Sequence, residues 1–360
     1  MKYLQVSDLH LSKSSPSDRE YSFSVLNEIL NSAETNNCQG IFFCGDVFDT
    51  FEDLENLRPD FIKSCQSFSG KIFFLPGNHE ILRRNSEAKG FSMYDWSPKI
   101  HLLDKTPFAL LIENDLEILA IPHQTNYSDL FLSPPPPKQK KWRIGLAHGT
   151  VTGMSFTGLD EETEEGGSYL DPSLIQTLDL DYLAIGHLHS TRGLDLGKCK
   201  IRYAGSSRIW RKAEIGERGG FIIQIKDGAL SSERIIWKSA GLYRDLEIFL
   251  GIDGNPEEDI NTLLDTFQKE DYVNIRFRGT VESMENKIKF QNEVLKNYKD
   301  RFRKLEIDSE SDEIQVIENL KDNQFVASFL KKMADLKPEM DEILWKQTKL
   351  NGIRLIVEGK

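Results

Sequence analysis

The 360-residue sequence predicts an α/β fold, a layered sheet covered by helices. Short apolar runs of strand length alternate with segments whose apolar residues recur at helical spacing. Each early apolar run also stops at a polar residue able to bind a metal. Tyr3-Leu4-Gln5-Val6 is a strand ending at Ser7-Asp8. Tyr21, Val25, Leu26, Ile29, Leu30 and Ala33 mark the first helix. Gly40-Ile41-Phe42-Phe43-Cys44 is a buried strand ending at Gly45-Asp46. Leu54, Leu57, Phe61, Ile62, Cys65 and Phe68 mark a second amphipathic helix. Lys71-Ile72-Phe73-Phe74-Leu75 is a third strand, ending at Pro76-Gly77-Asn78-His79.

The middle of the chain is richer in strands, predicted over 116–122, 142–148 and 182–187. Pro134 to Pro137 forms a rigid surface loop, and the acidic, Gly-rich stretch 152–167 a mobile one. Residues 219–225 and 234–237 form a closing hairpin. From about Gly241 the grammar changes to strand (245–250), helix (256–268), strand (272–278), helix (283–302) and strand (305–307). After 308–312 the pattern turns helical again. Phe325, Phe329, Leu330, Met333 and Leu336 form one stripe, and Met340, Ile343, Leu344, Leu350 and Ile353 follow Pro338 in another helix. The expected organisation is therefore 1–240, 241–310 and 311–360.

Composition is that of a globular protein, 39% hydrophobic and 28% charged, with no apolar run of membrane-spanning length. Cys38, Cys44, Cys65 and Cys199 form no Cys-x-x-Cys pair, so reduced thiols and a cytoplasmic location are expected. A net charge of −12 argues against coating nucleic acid through the whole surface. A nuclease remains possible, because metal ions supply local positive charge.

The candidate ligands all follow strands: Asp8 and His10, Asp46, Asn78 with His79, His148, and His187 with His189. Sites in open α/β sheets form outside the carboxyl ends of strands, so these residues can converge on one crevice. Singly, each has a plainer reading. A lone strand-end histidine is more often structural, Gly-Asp is a common turn, and Asn tolerates a left-handed turn. Five of the seven histidines fall in these segments, which coincidental turns do not explain. Imidazole nitrogens with carboxylate and amide oxygens suit Mn²⁺, Fe or Zn²⁺, and the lack of thiolate argues against structural zinc. Two ions about 3.5–4 Å apart can share one carboxylate and activate a water. Lowering a water pKa from about 15.7 to between 7 and 9 is worth roughly 9–12 kcal/mol in forming the nucleophile.

Asp8-Leu9-His10, Gly45-Asp46, Gly77-Asn78-His79-Glu80, His148-Gly149 and Gly186-His187-Leu188-His189 resemble the motifs of the calcineurin-like metallophosphoesterase superfamily. The resemblance implies a four-layer α/β/β/α sandwich, with a smaller α+β capping domain and C-terminal helices. It implies one metal on Asp8, His10, Asp46 and His189. A second would sit on Asp46, Asn78, His148 and His187, bridged by Asp46. His79 would stabilise the transition state or protonate the leaving oxygen. Gly45-Asp46-Val47-Phe48-Asp49-Thr50 and Ile201–Ser207 followed by Gly219-Gly220-Phe221 are most like the SbcD-type DNA repair exonucleases. That likeness implies two divalent ions, Mn²⁺ first, with DNA and an SMC-like ATPase of the SbcC type as partners. Residues 241–310 would then be the cap and the terminal helices the docking segment. Archaeal and eukaryotic members carry a His where this chain has Asp49.

Other readings compete with this one. The same chemistry serves a small-molecule phosphodiesterase or pyrophosphatase, and a scaffold without catalysis would be expected to have lost ligands. The 325–336 stripe is more often intramolecular core than partner surface. Helices over 54–68 and 81–96 suit a homodimer, and Arg83, Arg84 and Lys89 suit a DNA backbone or simply solvent.

Overall fold

Apolar runs too short for helices become the strands of two six-stranded sheets. The computed structural model describes residues 1–81, 95–123, 134–153, 169–212, 214–251, 253–317, 323–339 and 341–358. The helix expected over 81–96, with Arg83, Arg84 and Lys89, lies outside the described residues from Leu82 to Tyr94. So does most of the expected 152–167 loop. The chain divides into two units, Met1–Leu242 and Tyr243–Lys360.

The first unit begins with β1 (Lys2–Val6), α1 (Pro16–Thr35), β2 (Gly40–Cys44), α2 (Phe51–Cys65), β3 (Lys71–Leu75), α3 (Asn78–Ile81) and β4 (Ile100–Leu102). It continues with β5 (Ala109–Glu113), β6 (Leu116–Ile121), β7 (Trp142–His148), β8 (Thr150–Val151), β9 (Tyr169–Leu170) and α4 (Pro172–Thr177). It closes with β10 (Tyr182–Gly186), β11 (Arg192–Leu196), β12 (Cys199–Tyr203), β13 (Gly219–Lys226) and β14 (Ala229–Ile236). One sheet runs β14-β13-β1-β2-β3-β4, parallel from β1 to β4 with an antiparallel hairpin on its flank. The other runs β11-β12-β10-β7-β6-β5, parallel in its middle four strands and antiparallel at both edges.

Parallel strands need cover on both faces, and the sequence supplies it. Every residue of β2 is buried. On one side Val25, Ile29, Leu54 and Phe61 of α1 and α2 pack on Ile41, Phe43 and Phe74. On the other, Tyr3, Phe42, Phe73 and Leu75 meet Ile118, Ile144, Leu146 and Ala184 of the second sheet. Leu174 and Ile175 of α4 cover that sheet's far face. The result is α/β/β/α, as expected. Burying one such Phe or Leu contributes about 1.5–3 kcal/mol. Both long helices start on side-chain caps. Ser15 Oγ accepts from Asp18 N, and Thr50 Oγ1 from Asp53 N, each at 3.1 Å.

The second unit holds β15 (Tyr243–Leu250), α5 (Ile260–Leu264), β16 (Tyr272–Val281), α6 (Met284–Tyr298), β17 (Lys304–Ile307), β18 (Glu313–Val316), α7 (Gln324–Leu336) and α8 (Glu342–Glu358). Its sheet is wholly parallel, with β15, β17 and β18 all pairing β16. The helix expected over 256–268 shrinks to five residues, because Asp259 caps only at Asn261 and Pro256 bridges back to Leu250. β18 has no counterpart among the expected strands, and it extends the sheet beyond residue 310. In α7, Val326 and Met333 are buried, whereas Phe325 is 77% exposed. Trp345 Nε1 of α8 donates to Met333 O at 2.5 Å, so the two terminal helices pack on each other.

Among the described residues no helix is long and apolar enough to cross a membrane. All four cysteines are free and buried.

Candidate metal centre

Because β1, β2, β3, β7 and β10 are parallel within their sheets, each carries its ligand-type residues at a carboxyl end. Asp8 and His10 follow β1, and Asp46 follows β2. Asn78 and His79 open α3, His148 ends β7, and His187 and His189 follow β10. Asp8, His10, Asp46, Asn78 and His148 are at most 1% exposed, and His187 and His189 are also buried.

Four of them sit in the left-handed backbone region: Asp8 (φ 49°), His10 (47°), Asp46 (52°) and His187 (99°). Such conformations cost a non-glycine residue about 1–3 kcal/mol each and persist only where surroundings over-determine them. The determinants are visible. Asp8 N donates to Gly45 O at 3.1 Å, and His10 N to Asp46 O at 3.0 Å. Arg208 Nε donates to Leu9 O and His10 O at 2.9 and 3.1 Å, and Arg208 Nη1 is tied to Asp18 at 2.9 Å. The glycines before Asp46 and Asn78 are sterically required. A Cβ on Gly45 would lie 2.1 Å from His148 Nδ1, and one on Gly77 2.1 Å from Asp46 Oδ1.

The side chains gather in two adjoining groups. Ligating atoms of Asp8, His10 and His189 lie within 4.8 Å of one another, as do those of Asp46, His148 and His187. Asn78 joins the second group through its Oδ1, 2.9 Å from His148 Nε2. Asp8 is held by His187 N, which donates to both carboxylate oxygens at 3.0 and 3.1 Å. A third cluster of His10, Asp49 and His79 flanks the first. There Asp49 Oδ1 lies 3.5 Å from His10 Nδ1, and the Asp49 carbonyl accepts from His79 Nδ1 at 2.5 Å. Asp49 therefore touches both histidines, through its carboxylate and its backbone.

The donor chemistry fits cations. The Nε2 atoms of His10 and His189 face each other at 3.2 Å, an arrangement suited to lone pairs converging on one ion. Both nitrogens of His148 face oxygens, Cys44 O at 2.8 Å and Asn78 Oδ1 at 2.9 Å, partners that favour a charged ring. Burial opposes that charge, but Asp46 Oδ2 at 3.1 Å outweighs burial and lifts His148 to about 9. Burial pushes Asp8 up to about 6. Burial would raise Asp46 too, yet His148 holds it well below the carboxylate range. Burial, then the neighbouring His189 and His79, keep His10 neutral.

His79 differs from the others. Its side chain keeps 19% exposure, its N donates to Asp46 Oδ1 at 3.0 Å, and its Nε2 lies 4.0 Å from Asp46 Oδ2. With Nδ1 engaged by Asp49, Nε2 is the nitrogen turned toward the ligand groups.

The profile of the calcineurin-like phosphoesterases matches residues 1–191. The chain belongs to this family. The SbcD component of the nuclease SbcCD from Bacillus subtilis (strain 168) is 22% identical over 275 residues, covering 67% of this chain and 70% of that protein. YhaO, an uncharacterized metallophosphoesterase of the same organism, is 20% identical over 241 residues, covering 62% of this chain and 56% of its own length. Among solved structures, a novel archaeal phosphodiesterase aligns over 65% of this chain and all of its own, at 13% identity and a TM-score of 0.36. Purple acid phosphatase PPD1 from yellow lupin seeds aligns over 68% of this chain and 52% of its own, at 12% identity and a TM-score of 0.45. Calcineurin-like phosphoesterases are dinuclear metal-dependent hydrolases, and the two side-chain groups here fit that requirement.

Several residues around this metallophosphoesterase centre carried no functional assignment from sequence. Glu80, 2% exposed, accepts from Gly77 N (2.7 Å) and Asp46 N (3.1 Å) on one oxygen, and from Phe48 N (3.0 Å) on the other. It locks two ligand loops together, and its place beside His79 was its only signal. Burial and the Asp46 charge raise it to about 7. Glu214 contacts His189, and Trp210 contacts His10. Neither follows a strand or sits in a motif, so nothing in the sequence marked them.

Proposed function

We propose that this metallophosphoesterase is a phosphodiesterase whose substrate is DNA. The observation that supports the hydrolase reading most directly is the pairing of two buried ligand groups with His79 turned toward them. In this reading Asp8, His10, Asp46 and His189 hold one divalent ion, and Asp46, Asn78, His148 and His187 hold the other. Two such ions, Mn²⁺ before Fe or Zn²⁺, supply an activated water and neutralise charge at the phosphate.

The protein's own residues do the rest. His187 N and His79 N, by donating to Asp8 and Asp46, fix the carboxylates and leave them little freedom to reorganise. Asp49 O holds His79 by Nδ1, so a protonated His79 presents Nε2–H. As the ester P–O bond breaks, that proton passes to the leaving oxygen, a contribution of about 10²–10⁴-fold for general acids.

DNA as substrate is supported by the likeness to the SbcD component of a nuclease, which runs over 275 residues and so beyond the 191 of the family match. Residues 241–310 would then serve as the cap, with α7 and α8 meeting an ATPase of the SbcC type. The net charge of −12 favours a second reading, a small phosphodiester or pyrophosphate substrate.

One assay separates them. Purified protein with Mn²⁺ is offered linear duplex DNA and bis-p-nitrophenyl phosphate, with Asp46→Ala and His79→Ala as controls. Cleavage of both substrates supports the nuclease reading. Hydrolysis of the ester without DNA cleavage, even with the ATPase partner added, leaves only the small-molecule reading. Full activity in Asp46→Ala would refute the site itself.

A further inference from the structure

One histidine of the first ligand group is held directly, and the other through Trp210, by a residue outside every motif. Glu214 Oε1 accepts from His189 Nδ1 at 2.5 Å, and its Oε2 accepts from Trp210 N at 2.8 Å. The Trp210 indole in turn lies parallel to the His10 imidazole, 6° from coplanar with ring centroids 4.1 Å apart. It also meets His189 edge-on at 5.3 Å. Arg218 braces the same place, with Nη1 donating to His189 O (2.9 Å) and Nη2 to Ile215 O (2.6 Å). Glu214 and His189 side chains are each 9% exposed, so the contact is shielded from water.

We propose that Glu214 is a positioning residue that pre-organises the Asp8/His10/His189 half of the centre; this rests on the metal reading above. A carboxylate on Nδ1 requires the Nδ1–H tautomer and leaves the Nε2 lone pair of His189 facing His10 Nε2, 3.2 Å away. Through Trp210 the same carboxylate sets the surface on which the His10 ring lies. One side chain thus fixes both imidazoles of that half. The other half has no such dependence on Glu214. There His148 Nδ1 is held by the Cys44 carbonyl at 2.8 Å.

The consequence is an effect confined to one binding step. Outer partners of ligating histidines typically change metal affinity by about 10–100-fold. Calorimetric Mn²⁺ titration of the metal-stripped full chain should show two steps. Glu214→Ala should weaken one by at least about tenfold, leaving the other within about twofold. Glu214→Gln, which keeps an acceptor for His189 but no charge, should fall between them. A second readout needs no metal: ¹⁵N spectra of the stripped protein should show His189 as the Nδ1–H tautomer in the wild type and a mixture in Glu214→Ala.

Wild-type titration in both steps for Glu214→Ala would overturn the proposal. So would loss of both steps together with a lower melting temperature of the stripped Glu214→Ala and Glu214→Gln proteins, which would make Glu214 a fold-holding residue. A wild type that takes up no Mn²⁺, Fe or Zn²⁺ would instead refute the metal reading, and this proposal with it.

Discussion

Both units of this protein contain parallel strands joined through helices, yet their strand ends are made differently. In the first unit β1, β2 and β10 run into Asp8, His10, Asp46 and His187, all buried and all in the left-handed region. In the second, among the described residues, only Gly254 and Gly279 have such backbone, and no other residue type does. Its buried charges are paired off: Lys287 Nζ meets Asp312 Oδ2 at 2.6 Å, and Arg244 Nε meets Asp271 Oδ2 at 2.9 Å. A parallel strand end is therefore a place where a site can form, not a site. What marks the first unit is strained backbone and buried carboxylate faced by histidines, held in the same spot. Among the described residues no lysine or arginine pairs with Asp8 or Asp46.

That contrast can be broken at several points. The largest effect is expected at Asp46, which the proposed reading assigns to both ions. Asp46→Ala should lower Mn²⁺-dependent ester hydrolysis by at least about 10³-fold, several kcal/mol of transition-state stabilisation. Residual activity above that floor, measured beside a chelator-treated wild type, would place the chemistry elsewhere. His79→Ala should cost about 100-fold or more in kcat while Mn²⁺ uptake stays unchanged. Impaired uptake would make His79 a ligand rather than an acid.

Glu80→Gln comes next. It turns one acceptor oxygen into an NH₂ facing backbone N–H groups, leaving buried donors unsatisfied. About 1–3 kcal/mol of stability should disappear in denaturant titration, with roughly a tenfold drop in rate as the Asp46 loop shifts. In the second unit, Lys287→Ala should destabilise by about 3 kcal/mol, since it strands a buried Asp312. Small-ester hydrolysis should nevertheless stay within about twofold of wild type. A parallel collapse of hydrolysis would mean that the two units act as one.

The smallest effect concerns the thiols. Burial pushes Cys38 up to about 11 and Cys199 up to about 12, and it raises Cys44 and Cys65 as well. The thiolate is the reactive form, so raising the pKa suppresses reaction at any pH below it. Folded protein at pH 8 should therefore resist alkylation, and all four cysteines should react once guanidinium is added. Rapid labelling of native protein would show that these core positions open.

The sequence disclosed the first unit well, and for a physical reason. Strands buried on both faces leave uninterrupted apolar runs such as Ile41-Phe42-Phe43, and the residues that end them stand out. Edge strands such as β11, with alternating exposure, leave a weaker trace and went unseen. In the second unit the helix expected over 256–268 is longer than α5, because spacing does not register where Asp259 places the cap. The ligand-type residues were legible because each follows its strand in sequence. Glu214, Trp210 and Arg208 were not, because their contacts to His189 and His10 are made across roughly 20 to 200 residues of chain.

The first ligand group has one more consequence, for synthesis. Asp8 and His10 leave the ribosome well before His189 and the Arg208 that anchors His10, which come some 180 to 200 residues later. At about 5–20 residues per second that interval is roughly 10–40 seconds. No nascent fragment shorter than most of the first unit can hold a complete centre. A growing chain therefore has no complete hydrolase centre until most of the first unit has been made.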